Sequence, residues 1–160
     1  MRVKGIVMED FVNYKRPSMF INTCFCDFKC CTEQDLDRGV CQNAPLAQAN
    51  IQEIPDETIL RRFQENPITK AVVIGGMEPF LQTDELVTLL QTFRTAGEMA
   101  PFIVYTGYYP EEIPERLDRI APYGNLIVKF GRYNPRLKDR YDEVLGVRLA
   151  SENQFARVIS

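Results

Sequence analysis

The sequence contains no histidine, although five of its 160 residues are cysteine. Without histidine, zinc sites of the mixed Cys/His type are excluded, and a cysteine-based metal site has to use thiolates alone. Lysine and arginine are scattered and the formal net charge is −3, so we expect no nucleic-acid binding. No apolar run approaches the roughly 20 residues of a membrane helix, and the first eleven residues lack a signal-peptide core. We therefore expect a cytoplasmic protein without a membrane partner.

The composition favours one globular domain spanning residues 1–160. Hydrophobic residues make up 45% of the chain and charged residues 26%, which is ordinary usage for a single compact core. A chain of this length buries roughly 70% of the surface that its unfolded form exposes, so it needs no disulfide bonds to fold. The cysteines therefore require another explanation.

Helix and strand patterns alternate after residue 50. Short continuous apolar runs, typical of strands buried on both faces, are separated by segments with helical periodicity. The predicted helices run from Pro55 to about Asn66, from Thr83 to just before Gly97, and from Glu111 to Ile120; the predicted strands are Ala71 to Ile74, Phe102 to Tyr105 and Leu126 to Phe130. This order predicts a parallel sheet.

The two ends of the chain show weaker patterns. Val3 to Met8 and Ser18 to Ile21 are predicted strands, as are Val144 to Val147 and Phe155 to Ile159 near the other end. Residues 23–50 have no clear periodicity. A loop of that length inside a compact domain is usually functional or disordered, and its cysteines favour a function.

All five cysteines lie in this long loop. Cys24, Cys26, Cys30 and Cys31 fall within eight residues, and Cys41 follows. In a reducing compartment such a cluster indicates metal binding or redox chemistry. Three thiolates on a four-iron cluster leave one iron open for chemistry, whereas four thiolates can hold a structural zinc ion or an electron-transfer cluster. The cysteines alone leave these alternatives open.

The spacing of Cys26 and Cys30 resembles the C-x3-C-x2-C motif of the radical S-adenosylmethionine superfamily. The third cysteine of that motif would fall at position 33, which is Glu33. We expect Cys41 to replace it, because the segment Cys41-Gln42-Asn43 resembles the Cys-x-Asn of small activating enzymes in the superfamily. Cys31 is the alternative, although two neighbouring thiolates seldom reach separate irons without strain.

The segment Gly75-Gly76-Met77-Glu78-Pro79 resembles the GGEP-type motif by which that superfamily holds the methionine amino group. It follows a predicted strand, and the carboxyl ends of strands are where α/β sheets place ligands. The other interpretation is a simple turn. If Gly76 lines the ligand site, we expect Gly76→Ala to weaken S-adenosylmethionine binding while leaving stability nearly unchanged.

Three further segments resemble the activating enzymes of anaerobic, class III ribonucleotide reductases. Val104 to Tyr108 is similar to their W-T-G-Y segment, Gly131 to Tyr133 to their Gly-x-Phe, and Leu149 to Gln154 to their G-S-S-N-Q. The resemblance spans nearly the whole chain in the same order. It adds Asn153 and Gln154 to the candidate cofactor-binding residues.

The resemblance implies a fold, a cofactor set and a reaction. The expected fold is α/β, a shortened, open (β/α) partial barrel of mainly parallel strands with the cluster loop, about 23–50, at their carboxyl ends. The expected cofactors are a [4Fe-4S] cluster and S-adenosylmethionine, which is cleaved reductively to a 5′-deoxyadenosyl radical. The implied enzyme is an oxidoreductase that installs a glycyl radical.

The implied partners are a glycyl-radical reductase subunit and a flavodoxin- or ferredoxin-like electron donor. Two alternatives remain open at this point. One is a non-catalytic iron–sulfur or zinc module that binds a partner protein. The other is a radical enzyme that acts on a nucleobase or a peptide.

Overall fold

The computed structural model describes residues 1–160 as a mixed α/β fold with one main sheet. The strands are β1 (Arg2–Val3), β2 (Gly5–Asp10), β3 (Ser18–Asn22), β4 (Gln52–Glu53), β5 (Ala71–Gly75), β6 (Phe102–Tyr105), β7 (Leu126–Phe130), β8 (Arg140–Asp142), β9 (Val147–Leu149) and β10 (Phe155–Val158). The α-helices are α1 (Lys29–Thr32), α2 (Ala44–Ala47), α3 (Asp56–Glu65), α4 (Thr83–Thr95) and α5 (Pro114–Ile120).

The main sheet has six strands in the order β10-β7-β6-β5-β3-β2. Its four central strands are parallel, and the two edge strands, β2 and β10, are antiparallel to their neighbours. The loops that follow the central strands therefore meet at one edge of the sheet. The sheet remains open, and no closed barrel forms.

The long helices cover one face of the sheet. Phe63 of α3 and Phe93 of α4 have ring centroids 5.6 Å apart, and Phe93 lies edge-on to Phe102 of β6 at 5.0 Å. Successive residues of a strand point to opposite faces, so Phe102 and Val104 face these helices while Ile103 faces away. The larger hydrophobic core thus lies between the helices and the sheet.

The other face of the sheet is covered by irregular segments. Tyr14, Leu145 and Leu149 pack there against Val73 and Ile103. These segments cover the middle of the face and leave the carboxyl end of the strands accessible.

The predicted alternation of helices and strands is confirmed for three strands and two helices. Strands β5, β6 and β7 and helices α3 and α4 begin and end within about two residues of the predicted limits. The strand predicted at Ser18 to Ile21 is β3, and the one at Phe155 to Ile159 is β10. The mostly parallel sheet is therefore confirmed.

Two predicted elements are wrong in part. Val144 to Val147 is mainly the turn between β8 and β9, because the Asp142 carboxylate accepts a bond from the Leu145 N–H at 3.0 Å and Gly146 has φ 71°. The predicted helix from Glu111 to Ile120 is split, since Pro114 begins α5 and a separate 3-10 turn precedes it. A proline ring disfavours helical backbone at the preceding residue.

The long loop contains short helices that its sequence does not reveal. Both α1 and α2 have only four residues, and a 3-10 turn at Arg38–Val40 lies between them. Helices this short are not stable alone. None of the helices in the protein combines the length and apolar content needed to span a bilayer.

Candidate functional site

A cavity of about 420 Å³ opens at the carboxyl ends of the parallel strands. Its walls come from the loops after β3, β5, β6 and β7, because parallel strands bring those loops to one edge. Seven predicted site residues line it: Cys26, Cys30, Cys41, Gly76, Met77, Glu78 and Gln154. The fold therefore brings the predicted cluster ligands and the predicted S-adenosylmethionine-binding residues to one cavity.

Three of the five cysteines line this cavity. Cys26, Cys30 and Cys41 are half-buried on its wall, whereas Cys24 and Cys31 are buried in the protein and do not line it. The Sγ atoms of Cys30 and Cys31 are 3.9 Å apart. The choice of Cys41 over Cys31 as third ligand stays a prediction, and the cavity lining favours it.

An unusual backbone conformation brings Cys26 and Cys30 to the same wall. Phe28, midway between them, has φ 56°, a left-handed conformation that is uncommon for a residue with a side chain. Its N–H donates to Cys26 Sγ at 3.3 Å, and α1 begins at the next residue. The reversal at Phe28 turns the chain so that both thiols face the cavity.

The three thiols differ in acidity. Burial raises the pKa of Cys26 to about 12, and the adjacent Cys41 thiol raises the pKa of Cys30. Interaction with Cys30 lowers the pKa of Cys41 to about 6. Because metals bind thiolates and displace their protons, the hydrogen bond between Cys30 and Cys41 favours one ionised thiol in this pair.

The donor set fits an iron–sulfur cluster better than a single ion. No group of three or more histidine, cysteine, aspartate or glutamate side chains is placed to hold one metal ion. A zinc ion needs its sulfurs about 2.3 Å from one centre. A cluster distributes its thiolates over several irons, and three cysteines around a shared cavity suit that arrangement.

The glycine turn after β5 is held tightly. Gly76 has φ +78°, and a Cβ there would lie 2.6 Å from Asn22 Oδ1 and 2.7 Å from Leu46 Cδ2. Alanine at this position is therefore strained, and the expectation that Gly76→Ala leaves stability nearly unchanged is wrong. Gly76 forms a turn and also lines the cavity, and its role in holding a ligand stays a prediction.

The other members of the turn have different positions. Met77 is buried and lines the cavity. Gly75 and Pro79 do not line it; the Gly75 carbonyl accepts bonds from the backbone N–H and hydroxyl of Thr23, at 2.8 and 2.9 Å. The Gly75 carbonyl thus joins the turn to Thr23, at the start of the cysteine loop.

The Glu78 carboxylate is almost fully buried on the cavity wall. It accepts hydrogen bonds from Phe80 N–H at 3.1 Å, Thr106 Oγ1 at 2.8 Å and Gly107 N–H at 2.9 Å. A carboxylate has about four lone-pair sites, so about one is left for a ligand. Burial raises the pKa of Glu78 to about 7.

Lys129 is a site residue that the sequence did not reveal. Its side chain is buried, lines the cavity, and donates from Nζ to the Gly131 carbonyl at 3.1 Å. Burial lowers its pKa to about 8, and no ion pair joins it to Glu78. The available signal was a single lysine inside a continuous apolar strand, since buried lysine is rare without a partner.

Asn153 and Gln154 hold the backbone around Gly131. Gln154 lines the cavity, and its Nε2 donates to the Gly131 carbonyl at 3.2 Å while its Oε1 accepts from Ser151 N–H. Asn153 does not line the cavity, and its Nδ2 donates to the Arg132 carbonyl at 2.8 Å. Of the two, Gln154 alone lines the cavity, and the role of both in cofactor binding stays a prediction.

The chain matches one protein family over most of its length. The family model described as "4Fe-4S single cluster domain" matches residues 15–155. That range contains the five cysteines, the glycine turn and Lys129. No curated protein and no solved structure gives a significant match.

Proposed function

This chain belongs to the 4Fe-4S single cluster domain family, and we propose that it is a radical S-adenosylmethionine enzyme of the glycyl-radical activating type. One observation carries the proposal. The three cysteines, the glycine turn and two buried side chains of opposite ionic type, Glu78 and Lys129, line one cavity.

Cys26, Cys30 and Cys41 are the proposed cluster ligands, with Cys31 as the alternative to Cys41. When bound, the cluster supplies the electron that cleaves S-adenosylmethionine to methionine and a 5′-deoxyadenosyl radical. Three protein ligands leave one iron of a four-iron cluster without a thiolate. The protein residues then have to bind and orient the cosubstrate beside that iron.

The methionine part of the cosubstrate carries an ammonium and a carboxylate group, which match Glu78 and Lys129. Burial raises the pKa of Glu78 to about 7 and lowers that of Lys129 to about 8, and the two form no ion pair with each other. Each charged form is disfavoured by desolvation and regained when an opposite charge binds. A zwitterionic amino acid satisfies both groups at once.

The open side of the cavity supports a macromolecular substrate. Val12 lines the cavity and is 74% exposed, and the neighbouring Phe11 is 63% exposed. An apolar rim on an open site suits a polypeptide better than a small enclosed molecule. We therefore propose that the open sheet is a shortened partial barrel, that its substrate is a glycine of an anaerobic ribonucleotide reductase, and that a flavodoxin or ferredoxin reduces the cluster.

The test is anaerobic assay of the reconstituted, reduced protein for methionine and 5′-deoxyadenosine. We expect equal amounts of both, formed slowly by the protein alone and faster with a cognate reductase. Cys26→Ser should form neither. Absence of both products with an intact reduced cluster and a cognate reductase present would contradict the proposal and favour a non-catalytic cluster module.

A matched pair of lysine variants tests the cosubstrate site. Lys129→Met keeps the apolar stem and removes the ammonium, so we expect normal iron content but S-adenosylmethionine binding weakened by about tenfold or more, the usual cost of a lost charged hydrogen bond. Lys70→Met, an exposed lysine just before β5, should bind normally. Equal affinities in the two variants would remove Lys129 from the site.

A further inference from the structure

Arg132 is a buried arginine beside the cysteine loop that binds two exposed carboxylates, Glu112 and Glu33. Its guanidinium donates to both carboxylate oxygens of Glu112, at 2.7 and 2.6 Å, and to the Gly107 carbonyl at 3.1 Å. It also donates to Glu33 Oε1 at 2.8 Å. The Arg132 side chain is only 8% exposed, and bidentate arginine–carboxylate pairs of this kind are among the strongest polar contacts.

Glu33 belongs to the cysteine loop, whereas the other members of this group belong to the body of the protein. It lies directly after α1, the helix that carries Cys30. It does not line the cavity, because its carboxylate is directed at Arg132. Position 33 is also where the usual cysteine spacing would place the third ligand.

A second set of contacts holds the other end of the same loop segment. Tyr108 donates its hydroxyl hydrogen to Asp27 Oδ2 at 2.6 Å, and Lys29 forms an ion pair with Glu112 at 3.2 Å. Asp27 and Lys29 both lie between Cys26 and Cys30 in the sequence. The segment that carries two of the cavity cysteines is thus held on both sides by side chains that follow β6 and β7.

We propose that Arg132 and Glu112 are positioning residues that fix the cysteine loop. Arg132 binds Glu33, and Glu112 holds the Arg132 guanidinium and pairs with Lys29. The ion pair keeps position 33 turned away from the cavity and leaves the third place on its wall to Cys41. This inference needs only a bound cluster and is independent of S-adenosylmethionine chemistry. Failure of the cleavage assay therefore leaves it standing.

The contacts of Arg132 also connect the cysteine loop to Glu78, in the turn after β5. Arg132 binds the carbonyl of Gly107, and the N–H of Gly107 donates to Glu78 Oε2 at 2.9 Å. One short segment is thus held by Arg132 on one side and by Glu78 on the other. Removing the Arg132 guanidinium should therefore loosen both the cysteine loop and the segment that binds the Glu78 carboxylate.

The experiment compares Glu33→Gln with Asp35→Asn by the rate at which an iron chelator removes iron from the anaerobic holoprotein. Both variants remove one negative charge from the same exposed loop, and Asp35 has no ion pair. We expect Glu33→Gln to lose iron about two- to fivefold faster than wild type, the range for a half-exposed pair. Asp35→Asn should match wild type.

Ionic strength separates positioning by an ion pair from a general loss of packing. Salt screens exposed charges, so iron release from wild type should accelerate with added salt, while release from Glu33→Gln should be nearly independent of it. Arg132→Gln should release iron faster still, and adding Glu33→Gln to it should have little further effect, because residues that share one contact are not additive. If Arg132→Gln does not fold, the comparison of Glu33→Gln with Asp35→Asn is sufficient to test the proposal.

Two results would overturn the proposal. One is a release rate for Glu33→Gln equal to that of Asp35→Asn. The other is a wild-type rate that does not change with salt. Either would mean that the cysteine loop is held without the Glu33 contact.

Discussion

Burial determines the charge of individual residues in the cavity. Glu78 and Lys129 are each desolvated, and the pKa of each moves toward the neutral form, to about 7 and about 8. A buried group that is nearly neutral near physiological pH is typical of functional sites. At this scale the site is therefore sensitive to pH.

The first residue-scale prediction concerns the pH dependence of S-adenosylmethionine binding. Because the pKa of Glu78 is raised to about 7, its carboxyl stays mostly protonated in the folded protein at pH values between the ordinary glutamate pKa and about 7. The ammonium of the cosubstrate binds the ionised form, so wild-type affinity should rise as pH rises through about 7. Glu78→Gln should lack this rise. Above about pH 7 it should bind S-adenosylmethionine more weakly than wild type does, by roughly 1–2 kcal/mol.

Anaerobic calorimetry between about pH 6 and pH 7.5 measures this difference, since the α-amino group of the ligand, with an ordinary pKa of about 8, stays mostly protonated there. Folding stability gives a check of the same sign. A raised carboxyl pKa means that the folded protein loses stability as pH rises from the ordinary value of Glu78 to about 7. Glu78→Gln should lose less stability over that interval. A pH profile of binding unchanged by the substitution would assign the titration to another group.

The second residue-scale prediction concerns the ligand set. Cys41→Ser should lose most of the bound iron and sulfide, whereas Cys24→Ser and Cys31→Ser should keep it, because these two buried thiols do not line the cavity. Iron and sulfide per chain are measured after anaerobic reconstitution, with thermal melting to confirm that each variant folds. Full iron in Cys41→Ser together with loss in Cys31→Ser would make Cys31 the third ligand.

At the scale of structural elements, the turns that follow the parallel strands determine which residues lie on the cavity wall. Strand β5 ends at Gly75, and the left-handed backbone of the next residue, Gly76, lets Met77 and Glu78 follow on the cavity wall. Asn22 at the end of β3 and Leu46 in α2 pack against the position that a Gly76 side chain would occupy. The turn, the neighbouring strand and the cysteine loop are therefore packed together.

The prediction at this scale compares two glycines with similar backbone angles. Gly76 has φ +78° with Asn22 and Leu46 in the way of a Cβ, whereas Gly97 has φ +76° with nothing within 4 Å. Gly97→Ala should lower the free energy of unfolding by about 1 kcal/mol through backbone strain alone. Gly76→Ala should lower it by about 2–3 kcal/mol, because the clash adds to the strain.

Denaturant unfolding of both variants under anaerobic conditions measures the two costs. We also expect Gly76→Ala to retain less iron than Gly97→Ala, since Leu46 lies in the loop that carries Cys41 and has to shift. Equal losses of stability in the two variants would show that Asn22 and Leu46 move aside without cost.

The whole molecule assembles the site from distant parts of the chain. The cysteine loop, the turn after β5, Lys129 at the end of β7 and Gln154 just before β10 meet at one edge of the sheet. The larger core lies on the helical face and Leu145 and Leu149 pack on the opposite face. Neither core occupies the carboxyl ends of the strands, which leaves that edge open as a cavity.

The sequence by itself determined the alternation of helices and strands and the chemistry of the ligands. Periodicity and turn residues are local properties, so β5, β6, β7, α3 and α4 could be predicted from short windows. The absence of histidine limited the metal site to thiolates. The short helices of the cysteine loop could not be predicted, because helices of four residues depend on tertiary contacts for stability.

Only the tertiary structure decided which residues meet. Cys26, Cys30 and Cys41 share a cavity from which Cys31 is absent, and no spacing rule separates the neighbours Cys30 and Cys31. In the sequence, Lys129 is only a lysine within an apolar strand, and the structure shows that it lies on the cavity wall. Glu33 is likewise only one carboxylate of an irregular loop in the sequence, and the structure shows that Arg132 binds it. The physical reason is that these contacts depend on strand order and on the packing of loops distant in sequence, which local patterns do not specify.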